Sequence, residues 1–195
     1  MKIRAKHTFL FLFQMIIFWM FSPVQTVSAQ EYAEKFKTSG GSIGFAPARN
    51  HVHYDVLLLA ADFSRSFKKP QKKSFLTWYW QPQLNLVKAA NTPKNSLDYE
   101  FGINLGLRNY IKVSDNIYVY DMICSGPHFI SATVYRQARG FIFSDNLALG
   151  SLIRIDKKYF LRLQAGLRHI SNGGFKEPNK GIDSFLFMVG FSQIK

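Results

Sequence analysis

Three residue types that serine hydrolases combine lie close together near the end of the chain: His169, Ser171 and Asp183. His169 and Ser171 are two positions apart, so on an extended strand both side chains leave the same face, about 7 Å apart. Asp183 follows a segment with Gly and Pro residues that can turn the chain back and place the next strand beside the first. A hydroxyl nucleophile, an imidazole base and an orienting carboxylate predict the site of a serine hydrolase.

The start of the chain has the pattern of a secretory signal peptide. Three basic residues precede a largely apolar run from 9 to 21, and the small residues of Val27-Ser28-Ala29 offer a cleavage site. The apolar run is too short for a comfortable membrane span, which makes a retained anchor the weaker interpretation. We therefore predict residues 1–29 as a signal peptide and residues 30–195 as one exported domain.

The composition narrows the classes of partner. Lys and Arg outnumber Asp and Glu by 25 to 12, and loss of the signal peptide lowers the formal charge from +13 to about +10. A basic exported protein meets acidic polysaccharide or an anionic membrane surface, whereas the signal peptide argues against intracellular nucleic acid. Cys124 is the single cysteine, which excludes an internal disulfide and a cysteine-based metal cluster.

Long stretches of the exported part alternate between apolar and polar residues, the period of a β-strand. From 97 to 108 the odd positions are apolar or aromatic and the even ones carry charges, Asn and Gly; the pattern recurs from 159 to 168. A soluble β-sandwich also alternates. Strand length, with 19 Phe and nine Tyr residues for aromatic girdles, favours a transmembrane barrel instead.

Eight strands are predicted, the smallest common number for such barrels. Their expected ranges are 40–47, 52–66, 74–87, 97–111, 116–125, 138–154, 158–170 and 182–193. Compact polar turns alternate with connections that are longer or richer in Gly and Pro, which belong on the periplasmic and extracellular sides respectively. The sequence thus predicts an all-β, eight-stranded antiparallel barrel of the bacterial outer membrane, with the connection from Ser171 to Asp183 at the extracellular rim.

Alternation also predicts the face on which the candidate residues lie. The lipid-facing positions of the seventh strand are odd, and continuing them reaches His169 and Ser171. In the last strand Asp183 shares its parity with Phe185 and Phe187, so it also faces outward. Polar residues on the lipid-facing side are costly, though less so near the interface. The placement predicts a substrate that resides in the outer leaflet, namely a lipid.

The segment from His169 to Ser184 resembles the motif of the PagL-type lipid A 3-O-deacylases, and the matching strings are His169-Ile-Ser171-Asn172-Gly-Gly and Glu177-Pro178-Asn179-Lys-Gly181-Ile-Asp183-Ser184. The resemblance implies an eight-stranded barrel that hydrolyses the ester-linked acyl chain at position 3 of lipid A. It implies His169 as base, Ser171 as nucleophile and Asp183 as acid, where the family's usual acid is the longer glutamate. It also associates Asn172 and Asn179 with the oxyanion site.

The predicted function is that of a serine esterase acting on lipid A, the lipid part of lipopolysaccharide, without a cofactor or metal. Backbone N–H groups around Gly173 are further candidates for oxyanion stabilisation. The rival hypothesis is a non-enzymatic small barrel whose extracellular loops bind a ligand or another cell. The outward histidine, serine and acid distinguish the two, because an adhesin-like barrel has no reason to carry them.

Four further patterns have ordinary interpretations. The His51-x-His53 pair lacks a nearby third ligand for zinc and is read as loop histidines. Glu177 is an alternative triad acid but fits a solvated loop charge better. The lysines around Pro70 predict a solvated turn that also suits lipid phosphates. Charges inside a narrow barrel need partners, which predicts pairing within one set of residues: Arg162, Arg168, Asp98 and Glu100.

Overall fold

The computed structural model describes residues 36–49, 53–70, 72–90 and 97–195, and the predicted signal peptide lies outside these ranges. Nine strand segments follow one another: β1 Lys37–Pro47, β2 Tyr54–Ser66, β3 Ser74–Ala89, β4 Asp98–Lys112, β5 Ile117–Ser125, β6 Pro127–Ile130, β7 Gly140–Arg154, β8 Tyr159–Ser171 and β9 Ile182–Ile194. Among the described residues, no helix is long and apolar enough to cross a membrane.

The strands close into a barrel. Every pairing is antiparallel, and β1 pairs with both β2 and β9, so the first and last strands meet. β5 and β6 both lie between β4 and β7 and act as one strand that is interrupted at Gly126. The nine segments therefore form the eight-stranded antiparallel barrel that the alternation predicted.

The predicted end of the fifth strand is wrong, because pairing resumes after residue 125 in β6. At Gly126 a Cβ atom would lie 1.8 Å from the carbonyl oxygen of Ile103, so the neighbouring backbone occupies the place of a side chain. The interruption is local, and alternation continues with Phe129 exposed and Ile130 buried. Gly126 and Pro127 belong to the stretch from 125 to 137 that the sequence predicts as a connection, whereas in the structure they mark a break within one strand. The other seven predicted ranges agree with the structure to within three residues at each end.

Inward side chains fill the barrel in layers. An apolar cluster occupies the half nearest the longer connections, with Tyr54, Leu58, Ile142 and Ile170 among its members. A second, aromatic-rich cluster occupies the half nearest the short turns and includes Phe36, Tyr79, Tyr110 and Phe160. Fully buried charged residues lie between and beside these clusters. The interior is therefore a packed core rather than an open passage.

The buried charges are paired, as their removal from water requires. Glu100 contacts Arg168, which confirms that predicted pair, and its carboxylate also lies 2.7 Å from Nδ1 of His128. Arg162 instead contacts Asp62 at 2.8 Å, so its predicted pairing with Asp98 or Glu100 is wrong. Alternation identified which residues face inward, but closure of the barrel decides which of them meet.

The two ends of the barrel differ in the length of their connections. Residues 67–73, 113–116 and 155–158 are short turns at the end that also holds residues 37 and 194. The longer connections, which include 131–139 and 172–181, lie at the opposite end. Outer-membrane barrels place short turns in the periplasm and long loops outside. Residues 172–181 therefore lie on the extracellular side.

Candidate active site on the outer surface of the barrel

Strand register places His169 of β8 between two carboxylates. It lies directly opposite Asp183 of β9 and directly opposite Asp145 of β7. The neighbours of His169 along the strand, residues 168 and 170, are buried inside the barrel, so His169 itself faces outward. The side chains of His169 and Asp183 are 36% and 46% exposed. The predicted base and acid therefore meet on the lipid-facing surface.

The imidazole of His169 is held in one orientation. Its Nδ1 lies 2.8 Å from Oδ1 of Asp183, an arrangement that leaves Nε2 for another partner. Gly181 makes room for the ring, since a Cβ atom there would lie 2.5 Å from Cε1 and 3.0 Å from Nε2. The φ of Gly181, +69°, is also in the left-handed region that favours glycine.

Ser171 is the last residue of β8 and faces the same side of the sheet as His169. It pairs with Phe143 of β7, and its side chain is half-buried. Within the part of the chain that the structure describes, no hydrogen bond joins its hydroxyl to His169. The two residues share a strand and a face without a direct hydrogen bond.

The connection from β8 to β9 is built around the side chain of Asn172. Its Nδ2 donates to the carbonyl of Lys176 at 2.6 Å, and its Oδ1 accepts the N–H of Gly174 at 3.0 Å. The backbone N–H of Asn172 donates to Oδ1 of Asn179 at 2.9 Å. Asn172 thus shapes the loop from a buried position, and it brings the amide of Asn179 to the end of β8 beside Ser171.

Two N–H donors near Ser171 have no acceptor among the described residues: the Nδ2 group of Asn179 and the backbone N–H of Gly173. Gly173 and Gly174 both have positive φ, +66° and +89°. The N–H of Gly174 donates to Oδ1 of Asn172, so of these two glycines Gly173 is the one whose backbone N–H has no acceptor among the described residues. The loop next to Ser171 therefore contains two N–H donors that are not engaged by the described residues.

Glu177 lies in the same loop but serves the loop itself. Its carboxylate accepts the backbone N–H of Asn179 at 3.0 Å, and the residue is exposed. This bond closes a tight turn that ends at Asn179, whose side-chain amide oxygen accepts the backbone N–H of Asn172. The imidazole of His169 contacts Asp183 and not Glu177.

A second extracellular connection, residues 131–139, makes hydrogen bonds to the connection between β8 and β9, residues 172–181. The backbone N–H of Lys180 donates to the carbonyl of Arg136, and the N–H of Ala138 reaches the same loop. The Arg136 guanidinium in turn donates to the carbonyls of Lys180 and Gly181 at 3.3 and 3.0 Å. Gly181, which leaves space for His169, is therefore held by a hydrogen bond from the 131–139 connection.

Sequence reasoning missed two charged residues beside the site. Asp145 lies across from His169 and accepts a hydrogen bond from the hydroxyl of Ser125. Arg49 lies with its guanidinium carbon 4.9 Å from the centre of the Phe185 ring, two residues from Asp183. The outward parity of Asp145 was visible in the sequence. Its position opposite His169 was not, because alternation carries no information on register.

No group of three or more metal-ligating side chains occurs among the described residues. His51 of the His51-x-His53 pair lies outside those residues, so the interpretation of this pair as loop histidines stays a prediction.

A closed antiparallel barrel whose outer surface carries many exposed large apolar side chains is an outer-membrane protein. This one has a histidine and a carboxylate in contact on that surface. A family model described as lipid A 3-O-deacylase (PagL) matches residues 55–192, so the chain belongs to the PagL family of outer-membrane enzymes. The matched range contains every residue of the site described above except Arg49.

Comparison with solved structures found several similar chains. The crystal structure of the outer membrane enzyme PagL covers 77% of this chain and 97% of its own, with 18% identity and a TM-score of 0.57. The outer membrane protein OprG from Pseudomonas aeruginosa covers 83% and 95%, with 12% identity and a TM-score of 0.48. Neisserial surface protein A covers 82% and 96%, with 10% identity and a TM-score of 0.48. No curated protein sequence matches this chain.

Proposed function

We propose that this protein is a serine esterase that hydrolyses the ester-linked acyl chain at position 3 of lipid A in the outer leaflet. The observation that carries the proposal is the contact between His169 and Asp183 on the lipid-facing surface. His169 lies two residues before Ser171 on the same strand. A site inside the barrel would need the lipid to leave the leaflet. A site on the outside meets an acyl ester where it already lies.

The proposed reaction has two steps. The hydroxyl of Ser171 attacks the ester carbonyl while Nε2 of His169 accepts its proton, and Asp183 stabilises the imidazolium through Nδ1. Collapse of the tetrahedral intermediate expels the 3-oxygen of the sugar, which takes the proton from His169. Water then attacks the acyl-enzyme with His169 as base, which releases the fatty acid and restores Ser171.

The negative charge on the carbonyl oxygen needs preorganised donors. We assign this role to the Nδ2 group of Asn179 and the backbone N–H of Gly173, which lack acceptors among the described residues. Loss of one such donor in other hydrolases costs about 3 kcal/mol. Asn172 contributes by holding the loop, because its side-chain amide is engaged by Lys176 and Gly174.

An apolar groove on the outer surface suits the acyl chain. It crosses β7, β8, β9, β1 and β2 on the periplasmic side of His169, and its lining includes Leu149, Leu163, Ala165, Phe187 and Phe45. Ala165 lies four residues before His169, or about 13 Å along an extended strand. An acyl chain bound there would present its ester near the end of β8.

The test is mass spectrometry of lipid A from cells that produce the wild-type protein or the Ser171→Ala variant. Loss of one ester-linked chain, at position 3, is expected with the wild type and absent with the variant. A heat-dependent gel shift should show that both fold. Unaltered lipid A alongside a folded wild-type protein would instead favour the non-enzymatic, loop-binding barrel.

A further inference from the structure

A cluster of three aromatic side chains, Phe141, Phe143 and Phe175, lies beside Ser171 on the side of β7. Phe143 is directly opposite Ser171 in register. The ring centroid of Phe141 lies 5.0 Å from that of Phe143 and 6.2 Å from that of Phe175. A Cβ atom on Gly173 would lie 3.7 Å from Cε2 of Phe143 and 3.8 Å from Cε2 of Phe175. The cluster therefore borders Gly173, whose backbone N–H we assign to the oxyanion site.

The backbone of Phe175 is held by the residue that follows Ser171. The N–H of Phe175 donates to the carbonyl of Asn172 at 3.2 Å, and the side-chain amide of Asn172 donates to the carbonyl of Lys176, the next residue. The ring of Phe175 is nevertheless 77% exposed, the highest fraction among the large apolar residues that the structure describes. A ring that is fixed through its backbone and largely uncovered can contact a ligand without rearrangement of the loop.

The exposed part of this cluster lies further toward the extracellular side than Ser171. Phe141 is two residues from Phe143 toward the extracellular end of β7, about 7 Å along the strand. Phe175 belongs to the extracellular connection itself. The apolar groove that suits the acyl chain lies in the opposite direction, since Ala165 precedes Ser171 by six residues on β8. The two sides of Ser171 therefore offer separate apolar surfaces to the two parts of a bound ester.

The two parts of an ester are its acyl chain and its alcohol, and under the proposed function the alcohol is a sugar of lipid A. A pyranose ring carries most of its polar substituents at the edge, so that its faces present C–H groups. The face of an aromatic ring is negative and attracts such groups. With the acyl chain in the groove, the sugar extends toward the extracellular side, where the exposed rings of Phe141 and Phe175 lie.

We propose that Phe141 and Phe175 form a sugar-binding surface that stacks against a pyranose ring of the glycolipid substrate. The edge contact with Phe143 supports the ring of Phe141 at the level of Ser171. This inference rests on the proposed function for the identity of the ester. It adds a source of specificity, because the flexible alcohol part of a glycerol ester has no flat face to stack.

The test measures binding to the Ser171→Ala protein in detergent micelles by isothermal titration calorimetry, so that turnover does not interfere. The ligands are a glucosamine with one acyl chain esterified at position 3 and the ethyl ester of the same fatty acid. Adding Phe175→Ala should weaken binding of the glycolipid about 3–10-fold and leave binding of the ethyl ester unchanged. Phe175→Leu keeps apolar bulk without an aromatic face and should lose as much, whereas Phe175→Tyr should retain the affinity.

The matched control is Phe101→Ala. Phe101 is 49% exposed and Phe141 is 48% exposed, and Phe129 lies directly opposite both, so the three residues occupy one level of the barrel surface. Phe101 is on β4, three strands from Ser171. Phe101→Ala should therefore bind both ligands unchanged, whereas Phe141→Ala should bind the glycolipid alone more weakly.

Kinetics of the protein with Ser171 intact give a second readout. Stacking stabilises the bound substrate and the transition state alike, so Phe175→Ala should raise KM for the glycolipid at nearly constant kcat. A folded protein that releases no fatty acid would contradict the proposed function, and the binding measurements would still decide on the sugar-binding surface. Unchanged glycolipid binding in Phe175→Ala, equal weakening for both ligands, or full affinity in Phe175→Leu would overturn the proposal.

Discussion

Gly181 offers a test of the site in which the perturbation can be calculated from the structure. In the Gly181→Ala variant the new Cβ would lie 2.5 Å from Cε1 of His169 and 3.0 Å from Nε2. Carbon atoms in contact prefer about 3.5–4.0 Å, so the ring must move by roughly 1 Å. The same Cβ would lie 3.2 Å from the backbone carbonyl oxygen of Ile170, so a second group crowds it.

The consequences for rate and stability differ in size. A displacement of about 1 Å in a catalytic group can reduce the rate roughly 10²-fold. The φ of +69° adds a backbone cost of about 1–2 kcal/mol for alanine. We therefore expect Gly181→Ala to lower kcat about 10²-fold with little change in KM, and to lower the unfolding temperature by a few degrees.

Gly140 supplies the matched control. It also has positive φ, +115°, but nothing lies within 4 Å of a Cβ atom placed there. Gly140→Ala should therefore show the loss of stability without the loss of rate. Fatty acid release from purified lipid A in detergent, measured by mass spectrometry, gives the rates. A fully active Gly181→Ala enzyme, or an equal loss of rate in both variants, would refute the reasoning.

Three further predictions concern the charged and polar groups around His169. Asp183→Asn should keep the geometry but favour the wrong tautomer, lowering kcat by up to about 10⁴-fold, whereas Asp183→Glu should be tolerated and Glu177→Gln should change little. An active Asp183→Asn enzyme beside an inactive Glu177→Gln one would move the acid into the loop. Asn179→Ala should lower kcat about 10²–10³-fold at nearly constant KM, and an equal rise in KM would indicate ground-state binding instead. Asp145 lies opposite His169 but makes no hydrogen bond to it. Asp145→Asn removes only the negative charge, so the rate of fatty acid release should fall roughly tenfold or less.

The faces of the strands were predictable from the sequence, and the reason is the period of two. Once strand β8 was recognised, the outward placement of His169 and Ser171 followed from Leu163 and Leu167 without further information. The same parity assigned Arg162 and Arg168 to the interior, where both are buried. Strand ends were also close, because polar turns interrupt the alternation clearly.

Register was not predictable, since a period of two is satisfied by many alignments of neighbouring strands. The pairing of Arg162 with Asp62, 100 positions earlier, depends on closure of the barrel. So does the position of Asp145 opposite His169. The sequence also did not predict that the side chain of Asn172 hydrogen-bonds within the loop, to Lys176 and Gly174. Neither the residue type nor its spacing indicates these partners.

The packed interior of the barrel has a consequence for how material reaches and leaves Ser171. With apolar clusters and paired charges occupying the lumen, traffic runs sideways through the leaflet rather than along the barrel axis. Under the proposed function, both substrate and released fatty acid stay in the plane of the membrane. Encounter is then a two-dimensional diffusion problem, governed by the lateral density and mobility of lipid A and insensitive to the volume of the surrounding medium.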